Sequence, residues 1–286
     1  MQRLISAFRE AGVRFSRDGC AFLAQAVAFN ALFALFPLFV LILSGASYVF
    51  PHAEHRVLAF FDTLTPTLHD YIVGNLQSYI YGRGISSLIA LAFLVWSGKN
   101  LFMGLAYALD RALGVPKGRP LVHNIALSIV MLPVVGVILI VAMALPIVAS
   151  IIMAVAGVAD RQNLTHLTAY LVSIALVFSI SMLLYHFLPN RRVSWYFGIP
   201  GALVVSAAWP IVQYAFAQYT VHIDFTHIYG ALSVPLVLLL WFYVIGSIFL
   251  YGAEFCAAWA ALSGRERVAP LVDELELNMS VTKASS

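Results

Sequence analysis

The sequence has few charged residues, few cysteines and none of the common soluble-enzyme signatures. Only 10% of its 286 residues are charged, whereas soluble domains have about a quarter. This shortage excludes an ordinary water-exposed surface. The chain has no GxxxxGK(S/T) phosphate loop, no HExxH and no paired CxxC, so we expect no ATP-hydrolysing site. Its two cysteines, Cys20 and Cys256, are interpreted as small core residues without a disulfide.

Six long apolar runs occupy most of the chain, and 62% of all residues are hydrophobic. A hydrocarbon core about 30 Å thick requires roughly 20 apolar residues per helix. The sequence therefore predicts an all-α polytopic membrane protein with a six-helix transmembrane domain at 20–262. The predicted spans are about 20–50, 86–109, 125–156, 167–188, 197–219 and 230–262.

Basic residues alternate in density from one gap between the runs to the next. Of the 16 Lys and Arg residues, 12 fall in the N-terminal flank, the second and fourth gaps and the C-terminal tail. Three fall in the other gaps, and Lys99 lies within a run. Because cytoplasmic loops are enriched in Lys and Arg, this bias predicts that both termini are cytoplasmic. The net charge of +3 is then a topology signal, and we expect no nucleic-acid partner.

Amphipathic segments are predicted on both sides of the bundle. Residues 1–19 place apolar side chains on one helical face, which indicates either a helix at the cytoplasmic headgroups or an ordinary packed cytoplasmic helix. The longest outer gap, 51–85, repeats apolar residues at helical spacing but is too polar to span. We expect it to lie on the outer surface or to cap the bundle. The polar tail, 263–286, is predicted to be cytoplasmic and solvated.

Two charged residues lie within predicted spans, Lys99 near the middle of the second and Glu254 late in the sixth. A charge at the bilayer centre costs about 2.5–3.5 kcal/mol, so it needs a partner, a wet cavity or a path to the headgroups. Both spans run inward, and the hypothesis is that the two residues share a depth and pair, or face one polar cavity with Asn30 and Asn100. The alternative is that Lys99 extends to the headgroups and Glu254 already lies there.

A turn is predicted after the fourth span, because Pro189 cannot continue the helix and Asn190 favours turns. The two arginines that follow have two interpretations. They are either a stop signal with cytoplasmic anchoring, or a site for an anionic headgroup, since guanidinium groups bind phosphate through paired hydrogen bonds. The candidate headgroup site consists of Asp110, Arg111, Asn190, Arg191 and Arg192.

Histidines that could bind a metal occur close together at one place, where His222 and His227 flank Asp224. Imidazole suits zinc or copper, but the spacing matches no structural zinc pattern. We therefore interpret these histidines as surface residues and expect neither a metal nor another cofactor.

Several stretches together resemble the YihY/BrkB family of bacterial inner-membrane proteins, some of which were formerly labelled ribonuclease BN. The resemblance extends over about residues 15–262, and His186 occupies a position where the family is expected to have arginine. The stretches are AFNALFALFPLFVLILS at 28–44, LDRALGV at 109–115, YHFLPNRRVSW at 185–195, PGALVVSAAW at 200–209 and YGALSVPLVLLLWFYVIGSIFLYGAEFCAAW at 229–259.

The resemblance implies an inner-membrane location and a virulence-associated, envelope-related role. With the intramembrane charges and cytoplasmic arginines, it favours a transporter or flippase-like protein for an anionic amphiphile such as a lipid or lipid precursor. The alternative is a non-transporting scaffold or envelope-assembly factor. The expected partners are membrane lipids, with further copies of the chain or other envelope proteins as additional candidates. A nuclease needs clustered carboxylates near a metal, which the cytoplasmic side lacks outside the tail, so we predict that the protein is not an enzyme.

Overall fold

The computed structural model describes residues 2–49, 83–115, 121–155, 161–190, 195–223 and 229–263. Within these residues the chain forms seven α-helices and one short 3-10 helix. The α-helices are α1 Gln2–Arg17, α2 Cys20–Val49, α3 Arg83–Ala112, α4 Leu121–Val155, α5 Arg161–Phe187, α6 Trp195–His222 and α7 Ser233–Ser263; the 3-10 helix, Gly230–Leu232, leads directly into α7.

The all-α fold class is confirmed. Helices α2 to α7 are each long and apolar enough to cross a membrane, which confirms the six predicted spans. The predicted amphipathic segment at 51–85 lies outside the described residues except for the start of α3, and so does the tail after Ser263. The cytoplasmic location of the termini remains a prediction from the basic residues.

Six helices form a closed ring in the order of the chain. Each of α2 to α6 packs against the helix that follows it, and α7 packs against α2, which closes the ring. Small residues permit close approach at the α6–α7 contact, where Gly201 faces Gly252 so tightly that a Cβ on either glycine would collide with its neighbours. The small residues of the last two spans therefore serve helix packing.

Helix α1 lies outside the ring and packs along α7. Its two fully buried residues, Ala7 and Ala11, lie one helical turn apart on the packed face. The ring of Phe8 lies 4.7 Å from that of Phe255, and the Tyr251 hydroxyl donates a hydrogen bond to the Phe8 carbonyl at 3.0 Å. The amphipathic N-terminal helix is thus confirmed, and it is anchored to the protein through one narrow stripe.

The most deeply buried large side chains lie toward the end of the ring that carries α1, here called the α1 end. This end contains the start of α2 and α6 and the last turns of α3, α5 and α7. The largest fully buried side chains at this end are Cys20, Leu109, Tyr185, Leu188, Pro189, Leu250, Glu254, Phe255 and Cys256. Both cysteines are free thiols, as predicted.

Candidate functional site at the α1 end

A carboxylate is buried at the centre of the α1 end. Glu254 on α7 is fully buried, and its Oε1 accepts a hydrogen bond from the Cys20 thiol at 3.2 Å. The other carboxylate oxygen, Oε2, is also buried and has no hydrogen-bond partner among the described residues. A buried carboxyl group with half of its hydrogen-bonding capacity unused is energetically costly, so the position is a candidate functional site.

The charges that act on Glu254 come from the α1–α2 corner, namely from Arg14 and Asp18. Both belong to ion pairs. Arg14 pairs with Glu10 at 3.1 Å within α1, and Arg17 pairs with Asp18 at 3.3 Å just after it. The hydrogen bond with Asp18, reinforced by the charge of that carboxylate, raises the pKa of Arg17. The corner therefore neutralises most of its own charge and forms no ion pair with Glu254 among the described residues.

A second polar pair lies nearby, where the end of α3 meets the turn after α5. Asp110 accepts two hydrogen bonds from Asn190, one from the backbone N–H at 2.7 Å and one from the side-chain amide. The amide oxygen of Asn190 is buried and has no partner among the described residues. The turn that follows Pro189 is thus held to α3 by one carboxylate.

The local sequence explains why α3 ends where Asp110 can make these bonds. Gly114 adopts a left-handed conformation with φ +65°, which costs little without a Cβ. Its N–H donates to the Arg111 carbonyl, and the N–H of Val115 donates to the Asp110 carbonyl. This is the Schellman pattern of helix termination. The LDRALGV stretch therefore both stops α3 and presents the Asp110 side chain to the turn after α5.

Tyr185 connects α5 to α7 at the same end. Its fully buried hydroxyl donates a 2.5 Å hydrogen bond to the Phe249 carbonyl, and the two rings stack with centroids 4.7 Å apart. Asn190 lies five residues beyond Tyr185, and Glu254 lies five residues beyond Phe249. Because α5 and α7 run in the same direction, the two polar residues with unused oxygens lie at a similar level of the bundle.

His186, at the position where arginine was expected, makes aromatic contacts. Its ring stacks on Trp195 with centroids 4.0 Å apart and meets the ring of Phe187 edge to face. These contacts join the last turn of α5 to the first residue of α6. The aromatic character of the side chain accounts for this packing without a positive charge.

The structure separates Lys99 from Glu254, which the sequence analysis placed at one depth. Asn30 lies against Gly104, with Nδ2 3.3 Å from where a Cβ on that glycine would be. Lys99 precedes Gly104 by five residues on α3 and is therefore farther from the α1 end than Gly104 is. Cys20 precedes Asn30 by ten residues on α2 and is therefore nearer to that end than Asn30 is. At about 1.5 Å per residue, Lys99 and Glu254 are therefore roughly 20 Å apart along the bundle.

The prediction of a shared depth is wrong because α7 continues for nine residues past Glu254, whereas α3 ends near the level of Cys20 and Glu254, so counting from the ends of the two apolar runs misplaces Glu254. Asn100 lies one turn from Gly104 on α3, so Asn30 and Asn100 both belong to the α2–α3 contact. The four-residue polar site is thus divided, with Glu254 at the α1 end and the other three residues deeper in the bundle. Lys99 is half-buried and forms no ion pair with the described residues.

The candidate headgroup site is partly brought together. Asp110 and Asn190 are bonded as described above, and Arg111 is exposed beside them on α3. Arg191 and Arg192 lie outside the described residues, so their role in binding a headgroup stays a prediction. Asp224 and His227 also lie outside, while the ring of His222 bonds to the Gln218 carbonyl of its own helix at 2.7 Å. Within the described residues, no group of three or more potential ligands is arranged for a metal ion.

Two residues of this site escaped the sequence analysis. Cys20 was interpreted as a small core residue, although its thiol is the hydrogen-bond donor to Glu254. Tyr185 was quoted only as part of a motif. No local pattern reveals either role, because the partners are 234 and 64 residues away in the sequence.

The comparison with known proteins agrees with the motifs that build this end. The family described as "Virulence factor BrkB" matches residues 11–272. The chain belongs to the BrkB family. The stretches on which the resemblance rested supply both partners of the Asp110–Asn190, Tyr185–Phe249 and Gly201–Gly252 contacts, and Glu254 of the contact with Cys20.

Two curated relatives are named as membrane proteins, and a third is named as a ribonuclease-like protein. A UPF0761 membrane protein of Pseudoalteromonas translucida is 29% identical over 240 residues, covering 81% of this chain and 78% of the relative. Another, from Alteromonas mediterranea, is 29% identical over 272 residues, covering 88% and 87%. A Bacillus subtilis relative, named putative ribonuclease-like protein YfkH, is 24% identical over 239 residues, covering 81% and 86%. No solved structure matches the chain.

Proposed function

We propose that this BrkB-family membrane protein is a transporter or flippase-like protein for an anionic, amphiphilic envelope molecule, such as a lipid or lipid precursor. It lies in the bacterial inner membrane with both termini in the cytoplasm. The observation that carries the proposal is the fully buried Glu254, which has one thiol donor and, within the described part of the chain, one oxygen without a donor.

A carboxyl group inside a membrane bundle is expensive, and such groups typically belong to proton relays or to the pathways of ions and substrates. A purely structural role would be fulfilled more cheaply by an apolar side chain. Glu254 also lies next to the charged side chains of the α1–α2 corner rather than in an isolated core. In the proposal, Glu254 binds and releases a proton as the bundle changes conformation. The arginines of the candidate headgroup site, Arg111, Arg191 and Arg192, attract the anionic headgroup.

Asn190 supplies a second unused group at the same level. Its buried amide oxygen has no partner among the described residues, while its backbone N–H and its side-chain amide nitrogen each donate to Asp110. An oxygen held in place in this way accepts a hydrogen bond from a hydroxyl or ammonium group without rearranging the turn. This supports an α1 end that handles a polar group of a substrate.

Reconstituted proteoliposomes test the proposal. The movement of a fluorescent anionic lipid from the inner to the outer leaflet is measured, with and without a proton gradient, by chemical reduction of the dye from outside. Movement should exceed that in protein-free vesicles for the wild type and should fall toward the protein-free rate for Glu254→Gln. The matched control is Glu276→Gln in the C-terminal tail, which removes a carboxylate from a different part of the sequence. Equal movement in wild type and protein-free vesicles, with several anionic lipids, would refute the proposal.

A second candidate function, a non-transporting scaffold, is favoured by an exposed aromatic stripe on α2. Phe22, Phe29, Phe33 and Phe36 all point outward, at spacings of seven, four and three residues. Such a stripe suits contact with another membrane helix from a second copy or from another envelope protein. Cross-linking from Phe29 in native membranes distinguishes the two functions, since a stable protein adduct combined with absent lipid movement favours the scaffold.

We further propose that the protein is not a nuclease and has no nucleic-acid partner, despite the name of the Bacillus relative. Detergent-purified protein should degrade RNA no faster than a preparation of Glu254→Gln made in parallel. RNA cleavage that survives extensive purification and disappears on a point substitution in this chain would overturn this proposal.

A further inference from the structure

An apolar groove lies between α1, α6 and α7, on the outside of the ring at the α1 end. It has a volume of about 590 Å³, which is within the roughly 300–1,000 Å³ of small-molecule binding sites. Every residue that lines it is apolar or a tryptophan. The lining includes Leu4, Phe8, Ile199, Ala207, Ile211 and Trp259.

The length of the groove matches one leaflet of a bilayer. Along α6 the lining extends from Ile199 to Ile211, and twelve residues at about 1.5 Å each give roughly 18 Å. Half of a hydrocarbon core about 30 Å thick is about 15 Å. The groove therefore begins at the α1 end and reaches the depth where an acyl chain of the adjacent leaflet ends.

Two basic residues lie next in sequence to the α1 residues that line the groove. Leu4 and Phe8 line it, and they are directly flanked in sequence by Arg3 and Arg9. The other two arginines of α1, Arg14 and Arg17, are paired with carboxylates. Arg3 and Arg9 are exposed and form no ion pair with the described residues. Basic residues at a membrane surface attract anionic lipids.

We propose that this groove binds one acyl chain of an anionic phospholipid, whose phosphate is held by Arg3 and Arg9. Apolar lining, a length of one leaflet and adjacent unpaired guanidinium groups all match that ligand. The site holds a single lipid in a defined place, unlike the exposed apolar faces elsewhere on the bundle. It requires no lipid movement, so a protein that binds lipid here but fails the proteoliposome assay would contradict the proposed function and leave this inference intact.

Binding is measured on full-length, delipidated protein in detergent by native mass spectrometry. Phosphatidylglycerol and phosphatidylcholine with identical acyl chains are the probes. We expect one tight phosphatidylglycerol site. The Ala207→Trp variant fills the groove and should weaken that site by at least about tenfold, equivalent to the loss of a few buried methylene groups. Ala217→Trp, on an exposed position of the same helix outside the groove, should bind as the wild type does.

The headgroup contact has its own variants. Arg3→Gln with Arg9→Gln should weaken phosphatidylglycerol binding by about fivefold per arginine. Phosphatidylcholine binding should change little, and Arg3→Lys with Arg9→Lys should retain most of the preference. Equal binding of the two lipids by the wild type would overturn the proposal, and so would unchanged binding by Ala207→Trp.

A measurement on the unmodified protein covers the case in which a variant fails to fold. Phosphatidylglycerol with a diazirine near the end of one acyl chain is irradiated with the wild-type protein in vesicles. Labelling concentrated on the α6 peptide around Ile211 supports the groove. Labelling spread evenly over all outward faces, or absent from this peptide because residues 264–286 or another segment occupies the groove, would overturn it.

Discussion

Cys20 at the first residue of α2 donates a hydrogen bond to Glu254 near the end of α7, across 234 residues of sequence. The bond links the two helices that close the ring. It supplies the thiol donor to the Glu254 carboxyl group, which also interacts with the Asp18 side chain. We therefore expect the stability of the α1 end to depend on the Cys20 thiol.

Replacing Cys20 should reveal this dependence. Cys20→Ala leaves both oxygens of a buried carboxyl group without a partner, so the free energy of unfolding should fall by about 1–3 kcal/mol. Cys20→Ser restores a donor and should recover much of that loss. Denaturant unfolding in detergent provides the measurement.

The control for Cys20 is the other buried cysteine. The Cys256 thiol contacts the Gly198 carbonyl at 3.6 Å, which is a weaker interaction with a neutral acceptor. Cys256→Ala should therefore cost less than Cys20→Ala. Equal losses for the two alanine variants, without rescue by serine, would show that the thiol matters only for packing.

Asp110 should be among the most sensitive carboxylates of the protein. Asp110→Ala removes both hydrogen bonds to Asn190 and leaves a partly buried backbone N–H without an acceptor, so we expect a loss of about 3 kcal/mol in unfolding free energy. Glu10→Ala breaks the more exposed pair with Arg14 and should cost about 0.5 kcal/mol or less. Similar melting temperatures for the two variants would contradict this assignment.

The close approach of Gly201 on α6 to Gly252 on α7 predicts that a single added methyl group lowers the stability of the protein. Gly201→Ala places a Cβ against the Gly252 carbonyl and the Cys256 sulfur, so α6 and α7 must separate. Overpacking of this kind typically costs about 1–3 kcal/mol. Gly136→Ala meets open space on α4 and should be neutral or slightly stabilising in the same unfolding assay. A Gly201→Ala protein as stable as the wild type would argue against this α6–α7 contact.

The hydroxyl of Tyr185 can be tested separately from its ring. Tyr185→Phe keeps the stacking on Phe249 but removes the buried hydrogen bond to its carbonyl, so unfolding free energy should fall by about 0.5–1.5 kcal/mol. Tyr214→Phe, at an exposed position on α6, is the control and should have no measurable effect. A neutral Tyr185→Phe substitution would indicate that the ring alone carries the contact.

The orientation of the bundle is predicted from its basic residues and can be measured directly. Because 12 of the 16 Lys and Arg residues fall on one predicted side, reporter fusions at both termini should signal the cytoplasm. Fusions in the predicted outer gap at 51–85 should signal the opposite compartment. Termini that report different compartments would overturn the six-span topology.

Local sequence was sufficient for the parts of the fold that depend on neighbouring residues. The apolar runs predicted six spanning helices, and the helical face within residues 1–19 predicted α1. Asn190 was predicted to form a turn and to join Asp110 in one site, and the structure brings these two together. The spans, α1 and the turn rest on spacing or conformational preference within a few residues, whereas the grouping of Asn190 with Asp110, 80 residues apart, rested on their predicted place at cytoplasmic helix ends.

The candidate site was harder to predict because its contacts depend on how far each helix slides along its neighbours. Counting residues from the ends of the apolar runs suggested a shared depth for Glu254 and Lys99, but a helix of 31 residues extends past a leaflet and can shift by several turns. A shift of about ten residues moves a side chain by roughly 15 Å. It therefore decides which polar residues meet.

The sequence alone determined that this chain is a bundle of membrane-spanning helices with an amphipathic N-terminal helix, because solvent preference and helical periodicity act over short stretches. Only the tertiary structure decided that α1 docks on α7, that a thiol bonds to the buried carboxyl group and that Lys99 lies far from it. Apolar helices pack in many registers of similar hydrophobicity, and the register is selected by the fit of small residues such as Gly201 and Gly252, distant in sequence, at the points where helices touch.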